Sequence, residues 1–245
     1  IEFEFSSDFT DNEATLNIDL TKISNFQDIT FSRNSDDPVL KNITVTGASN
    51  KLIFENGLNA VTATAQSDTD LSLELKENST VTVTGSAKNL LVNGGGKSLS
   101  IISSNLANIE IADNNSVILN APNATGNLAI ISNGAVDVQD VTALTGNVDI
   151  SAVGAVTLGN LSSVHGKIEI DNLRSSEGQD ISVSDASGAK SVKISSVGAV
   201  TASTNDGLNS AETIIITAAE NSIINAQSVI PRTLSLNSSN SANSL

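Results

Sequence analysis

The sequence predicts an all-β protein, a parallel β-solenoid (β-helix) of about ten coils of ~18–20 residues each, with a Phe-rich cap at the N-terminal end. Three observations carry this reading. The first is an internal repeat. Thr125-Gly126-Asn127-Leu128-Ala129-Ile130, Thr145-Gly146-Asn147-Val148-Asp149-Ile150 and His165-Gly166-Lys167-Ile168-Glu169-Ile170 recur at one constant step, and Gly134-Ala135-Val136 and Gly154-Ala155-Val156 interleave with them at the same step. The second is strict alternation of apolar and polar residues over four to six positions bounded by Gly, Asn and Ser, which is a strand pattern. The third is composition: apolar residues make up 39% and aromatic ones only 2%. Narrow stacked coils need β-branched and small side chains inside, not large rings. Each coil cannot bury its own apolar face, but coils stacked ~4.8 Å apart share one continuous interior.

The elements follow in chain order. Residues 1–40 read as an N-terminal cap or the end of a preceding domain. Phe3, Phe5, Phe9, Phe26 and Phe31 crowd there, and six acidic residues fall between positions 2 and 19 with no basic one among them. An open solenoid end exposes strand edges and needs a bulkier cover. The solenoid itself spans residues 41–236. Its strand pairs begin with Ile43/Val45, Leu52/Phe54, Val61/Ala63, Leu71/Leu73 and Val81/Val83, and continue through Leu99/Ile101, Ile109/Ile111 and Val117/Leu119 into the regular repeat. Beyond Asp171 the spacing loosens, leaving inserted loops near 171–180 and 203–212. Val141 and Leu144, then Leu161 and Val164, predict a third, less regular side that also faces inward. Residues 237–245, rich in Ser and Asn, read as a linker or tail.

Charge and residue usage exclude several function classes. A formal net charge of -15 repels nucleic acid and anionic membranes. No apolar run approaches the ~20 residues of a membrane-spanning helix, so direct membrane insertion is not expected. With no Cys, disulfide frameworks, thiolate metal sites and Cys nucleophiles are ruled out. The chain opens at Ile1 without a signal-peptide pattern, which reads as a piece of a longer protein with its targeting information elsewhere.

Candidate sites are few. The single imidazole, His165, occupies the repeat position of Thr125 and Thr145 and so reads as a corner residue. Asp137, Asp140, Asp149, Glu169 and Asp171 are the carboxylates from which a glycoside-cleaving pair could be built. Asp149 and Glu169 share a repeat position and should point outward one coil apart, but the regular middle of the chain lacks the aromatic residues that usually accompany sugar cleavage. No catalytic residue is assigned, and the chain is read as a non-enzyme without a cofactor other than calcium. Calcium suits the clusters holding Asp36 and Asp37, Asp68 and Asp70, and Asp113, because carboxylates, Asn and carbonyl oxygens bind hard cations. Solvated acidic loops are the plain alternative. Thr44/Thr46, Thr62/Thr64 and Thr82/Thr84 form short ranks of the kind found on ice-binding faces, yet Ile118 and Asp137 at comparable later positions break them, and ordinary strand Thr is the simpler reading. Asn127 and Asn147 either stack into a hydrogen-bonded ladder or are solvated turn residues.

The Gly-Asn-Val-x-Ile step at Gly146–Ile150 and the Gly-Ala-Val-x-Leu step at Gly154–Leu158, with the acidity, the absence of Cys and the Thr/Ser/Asn/Ala/Gly bias, resemble bacterial surface-layer proteins and large secreted repeat adhesins. The resemblance covers residues 41 to 236. It implies secretion to the bacterial cell surface, assembly with copies of itself and a need for calcium, although the G-G-x-G-x-D calcium nonapeptide is missing. Filamentous-haemagglutinin-type adhesins are similar in repeat length, and Leu161-x-x-Val164-x-Gly166-x-Ile168 resembles receptor L-domains and leucine-rich surface proteins. The expected function is structural: a rigid segment of a surface layer assembling laterally. The alternatives are an adhesin stalk or ligand-binding module, with cell-surface glycan as a further partner, and a polysaccharide-active enzyme.

Overall fold

A computed structural model describes residues 2–5, 15–19, 29–33, 42–46, 52–54, 60–75, 79–121, 124–174, 178–188, 190–210, 212–224 and 233–238, with side chains described mainly from residue 72 onward. Every strand pairing among the described residues is parallel, as a solenoid requires. Two ladders run along the molecule. The first passes from Ile109–Ile111 through the strands Leu128–Ser132, Val148–Ala152, Lys167–Asp171, Ser191–Ser195 and Thr213–Ala218 to Thr233–Ser238. The second passes from Val117–Asn120 through Val136–Leu144, Val156–Ser163 and Ile181–Gly188 to Val200–Ser210 and Ile223–Ile224.

Alternation fixes the register. In Val148–Ala152 every second residue is buried, and Val148 stands between Leu128 and Ile168 while Ile150 stands between Ile130 and Ile170. A slip of one residue would turn both rows into solvent, so burial alone selects this pairing. The second ladder repeats the logic with Val136, Val156 and Ile181 in one inward row and Val138, Leu158 and Val183 in the next. All of these side chains are buried.

The coil count differs from the expected ten. The regular body has about six turns, starting at Ile109, Leu128, Val148, Ile168, Val192 and Ile214. The step from Leu128 to Val148 equals that from Val148 to Ile168, and the insertion at 171–180 then lengthens the next one, so that Ile168 pairs with Val192. Toward the N terminus parallel pairing continues at a similar step, with Ile43 opposite Val61 and Val61 opposite Val81, and the period lengthens only in the first strands. Leu16 lies opposite Ile43 and Phe3 opposite Phe31. The strands Glu2–Phe5, Thr15–Asp19 and Ile29–Arg33 within residues 1–40 thereby belong to the same sheet as the solenoid, and their Phe side chains lie outside those described.

The third side is inward-facing at Val141, Leu144 and Leu161, all with no exposed surface, but not at Val164, which is half exposed. The register shifts between Leu161 and Ser163, so Ser163 rather than Val164 lies opposite Leu144. Ser163 is buried, donates its hydroxyl to the Gly146 carbonyl at 2.5 Å and accepts from Gly166 N at 2.9 Å. A hydroxyl that closes the corner has displaced the expected apolar contact. Close stacking at this corner also explains Gly166, where a Cβ would sit 1.9 Å from the Gly146 carbonyl oxygen.

Candidate functional site

The outward face of the first ladder gathers the side chains able to do chemistry. Parallel stacking consumes the backbone N–H and C=O groups there, so whatever this face binds must be held by its side chains. These stand in rows about 4.8 Å apart from coil to coil.

One row is amide. Asn108 Nδ2 donates to Asn89 Oδ1 at 2.8 Å, and Asn127 donates to Asn108 Oδ1 through its backbone N at 2.9 Å and its Nδ2 at 3.2 Å. Asn127 Oδ1 then accepts from Asn147 N at 2.8 Å, and Asn147 Oδ1 from Lys167 N at 3.1 Å. Of the two readings of Asn127 and Asn147, the structure supports the ladder, and it extends the row to Asn89 and Asn108. Beside it runs a row with Glu110, Ala129, Asp149, Glu169 and Lys193, and the Asn108–Asn89 hydrogen bond sets Leu91 one coil before Glu110. Between the two rows, where Ala129 leaves space, lies a trough of about 470 Å³ lined by Asn89, Leu91, Asn108, Glu110, Asn127 and Ala129.

Further along, the same face is acidic. Asp149 lies opposite Glu169, as expected for two outward carboxylates one coil apart, and Glu169 lies opposite Lys193. Lys193 Nζ forms an ion pair with Glu169 Oε1. Asp171 sits two positions beyond Glu169 and accepts from the Ser151 hydroxyl at 3.1 Å. Partial burial, then the charges of Glu169 and Asp171, push the Asp149 carboxyl above its ordinary range, while Lys193 pulls the other way. The hydrogen bond and charge of Glu169 raise the Lys193 ammonium in turn.

Of the five carboxylates considered for glycoside cleavage, the structure thus brings together Asp149, Glu169 and Asp171. Asp137 and Asp140 stand on the second ladder, where Asp140 lies between Asn120 and Asn160 and keeps a buried Oδ1 without a hydrogen-bond partner. No family model, curated protein or solved structure matches the chain.

The calcium candidates divide by position. Asp36 and Asp37 lie outside the described residues, and Asp68, Asp70 and Asp113 have their backbones in the strands Ala60–Leu75 and Ser79–Asn120 but side chains outside those described. Among the described residues no three His, Cys, Asp or Glu side chains come close enough to hold a metal ion. His165 is exposed at its corner. The threonine ranks are in register for three rungs, Thr44 opposite Thr62 opposite Thr82 and Thr46 opposite Thr64 opposite Thr84, and farther along Ile118, Asp137 and Thr157 share one row.

The corner after the first ladder was not anticipated. Its inward row contains Asn114, Ser132 and Asn172, all without exposed surface. Asn172 Nδ2 donates to the Gln179 carbonyl at 2.5 Å and its Oδ1 accepts from Val197 N at 3.0 Å, tying both ends of the 171–180 insertion to the stack. Arg174 Nη2 reaches back to the Ser132 carbonyl at 2.6 Å. The alternation that marks strands stops at such a corner, so the buried asparagines carry no periodic signal.

Proposed function

We propose that this chain is a structural, non-enzymatic segment of an exported bacterial surface protein, a rigid rod that packs side by side with copies of itself in a surface layer. The observation that carries the reading is the pair of parallel ladders whose stacked inward rows, Leu128, Val148 and Ile168 on the first and Val136, Val156 and Ile181 on the second, are apolar and buried. Such a stack is stiff, and each outward face offers the same row spacing to a neighbouring rod. Rods with a charge of -15 repel one another, so lateral packing calls for bridging cations, and calcium between carboxylates of facing rods meets that need. A non-enzymatic role fits the carboxylate geometry: Glu169, the neighbour of Asp149, is already engaged in an ion pair with Lys193.

Light scattering and negative-stain microscopy of the purified chain, in millimolar calcium and again in chelator, test the reading. Calcium-dependent sheets or regular oligomers are expected. A monomeric rod under both conditions would overturn it in favour of an adhesin stalk. That second reading draws on the anchored insertion at 171–180, which Asn172 and Arg174 fasten to the stack as a ligand loop would require. Release of reducing sugar ends, lost on Asp149→Ala or Glu169→Ala, would instead establish an enzyme.

A further inference from the structure

We infer that the trough beside the asparagine ladder binds an uncharged, extended β-1,4-linked glycan lying along the solenoid axis, one sugar ring per coil. This does not rest on lateral assembly. The ladder spends only part of its hydrogen-bonding capacity. Asn108 and Asn127 each direct one amide hydrogen to the preceding rung, leaving the second available, and these donors recur with the coil spacing of about 4.8 Å. Because each amide is held by its neighbours, little rotamer entropy is lost when a ligand engages it.

The opposite wall completes the chemistry. Leu91, 39% exposed, and Ala129 present apolar surface for the C–H faces of sugar rings, while the exposed Glu110 carboxylate between them accepts from hydroxyl groups. The geometry also discriminates among polymers. A peptide added as a strand needs a free backbone edge, which this face lacks. Its same-face side chains would recur about every 6.6–6.8 Å and fall out of step with the rungs. A β-1,4-linked chain is a flat ribbon that advances by close to one strand spacing per ring. Nucleic acids and uronate polymers meet Glu110 and the net charge of -15 as repulsion. Without aromatic platforms each ring is held weakly, so affinity must accumulate over successive rungs.

The test is an amide NMR titration of the full chain with cellohexaose and chitohexaose, against cellobiose and the α-linked maltohexaose. Both β-linked hexaoses should shift the backbone signals of Asn108, Glu110, Asn127 and Ala129 and bind at least tenfold more tightly than cellobiose, while maltohexaose leaves those signals unmoved. Ala129→Arg fills the trough from an outward position, and Leu91→Arg does so from the neighbouring rung. Each should weaken hexaose binding tenfold or more with the unfolding midpoint retained. No shift with either β-linked hexaose at millimolar concentration, equal binding of maltohexaose, or undiminished binding by both folded variants would overturn the inference.

Discussion

Asn172 and Asn114 are both fully buried at the corner after the first ladder, yet their hydrogen bonding differs, which makes them a quantitative test of how that corner is held. Asn172 uses both ends of its amide. Truncation in Asn172→Ala leaves Val197 N–H without its acceptor, whereas the Gln179 carbonyl keeps the Ser196 hydroxyl at 3.1 Å. One orphaned buried donor costs about 1–3 kcal/mol and the second lost bond about 1 kcal/mol, so the variant should lose roughly 2–4 kcal/mol. Asn114 Nδ2 donates to the Ile131 carbonyl at 3.1 Å, but its Oδ1 is buried without a partner. Asn114→Ala removes that unsatisfied oxygen along with the one bond, two effects of opposite sign, and should cost only about 0–1 kcal/mol. Both substitutions delete the same atoms, so packing losses largely cancel in the comparison. The expected gap of about 2 kcal/mol is more than a tenfold difference in unfolding equilibrium. Urea unfolding followed by circular dichroism measures it, with unchanged slope as the condition that the stack still unfolds as before. If Asn114→Ala cost as much as Asn172→Ala, the assignment of the corner's stability to Asn172 hydrogen bonding would be refuted.

Four further outcomes are expected. The folded Asp149 carboxyl titrates above its unfolded value, so its charge costs stability at neutral pH and the cost is relieved as pH falls through the folded pKa toward the unfolded one. Asp149→Asn should therefore be a few tenths of a kcal/mol more stable than the parent at pH 7, a modest figure because the group is exposed, with the gain gone near pH ~3 in parallel thermal melts. Gly166→Ala places a Cβ 1.9 Å from the Gly146 carbonyl oxygen and should cost about 1–3 kcal/mol or more, read as a lower urea midpoint. Ile150→Ala, stacked between Ile130 and Ile170, should cost about 2–5 kcal/mol in the same assay. Asn127→Ala leaves Asn147 N–H without the ladder oxygen at 2.8 Å and should cost about 0.5–1.5 kcal/mol, with faster hydrogen exchange at that amide.

The parts of the fold legible in the sequence are those where burial repeats. Leu128, Val148 and Ile168 must face one interior, so their spacing states the strands, the register and the outward placement of Asp149 and Glu169. The third side follows a weaker rule. Val164 follows Leu161 at the spacing by which Leu144 follows Val141, and it matches Leu144 in type, yet the chain shifts register between Leu161 and Ser163 and turns Val164 outward. Nothing in one more serine among many marks Ser163 as the residue whose hydroxyl closes the corner. The same holds for Asn114 and Asn172, whose burial depends on where the strand stops rather than on any period.

Outward rows obey the opposite logic, and this bears on where function should be sought. An inward row keeps its residue type because each coil rests on the last, whereas an outward row meets water and is free to vary. The row holding Glu110, Ala129, Asp149, Glu169 and Lys193 does vary, in charge and in size. The row from Asn89 to Asn147 does not, although Asn127 and Asn147 are exposed. Part of that sameness is structural, since each amide oxygen takes up an N–H of the next coil. Lys167 shows that the stack also goes on without an asparagine, for its own N–H is satisfied by Asn147 while its side chain departs from the series. The amide row thus runs beside the trough and ends where the acidic patch begins, which sets a repeating array of donors against the depression that Ala129 leaves open.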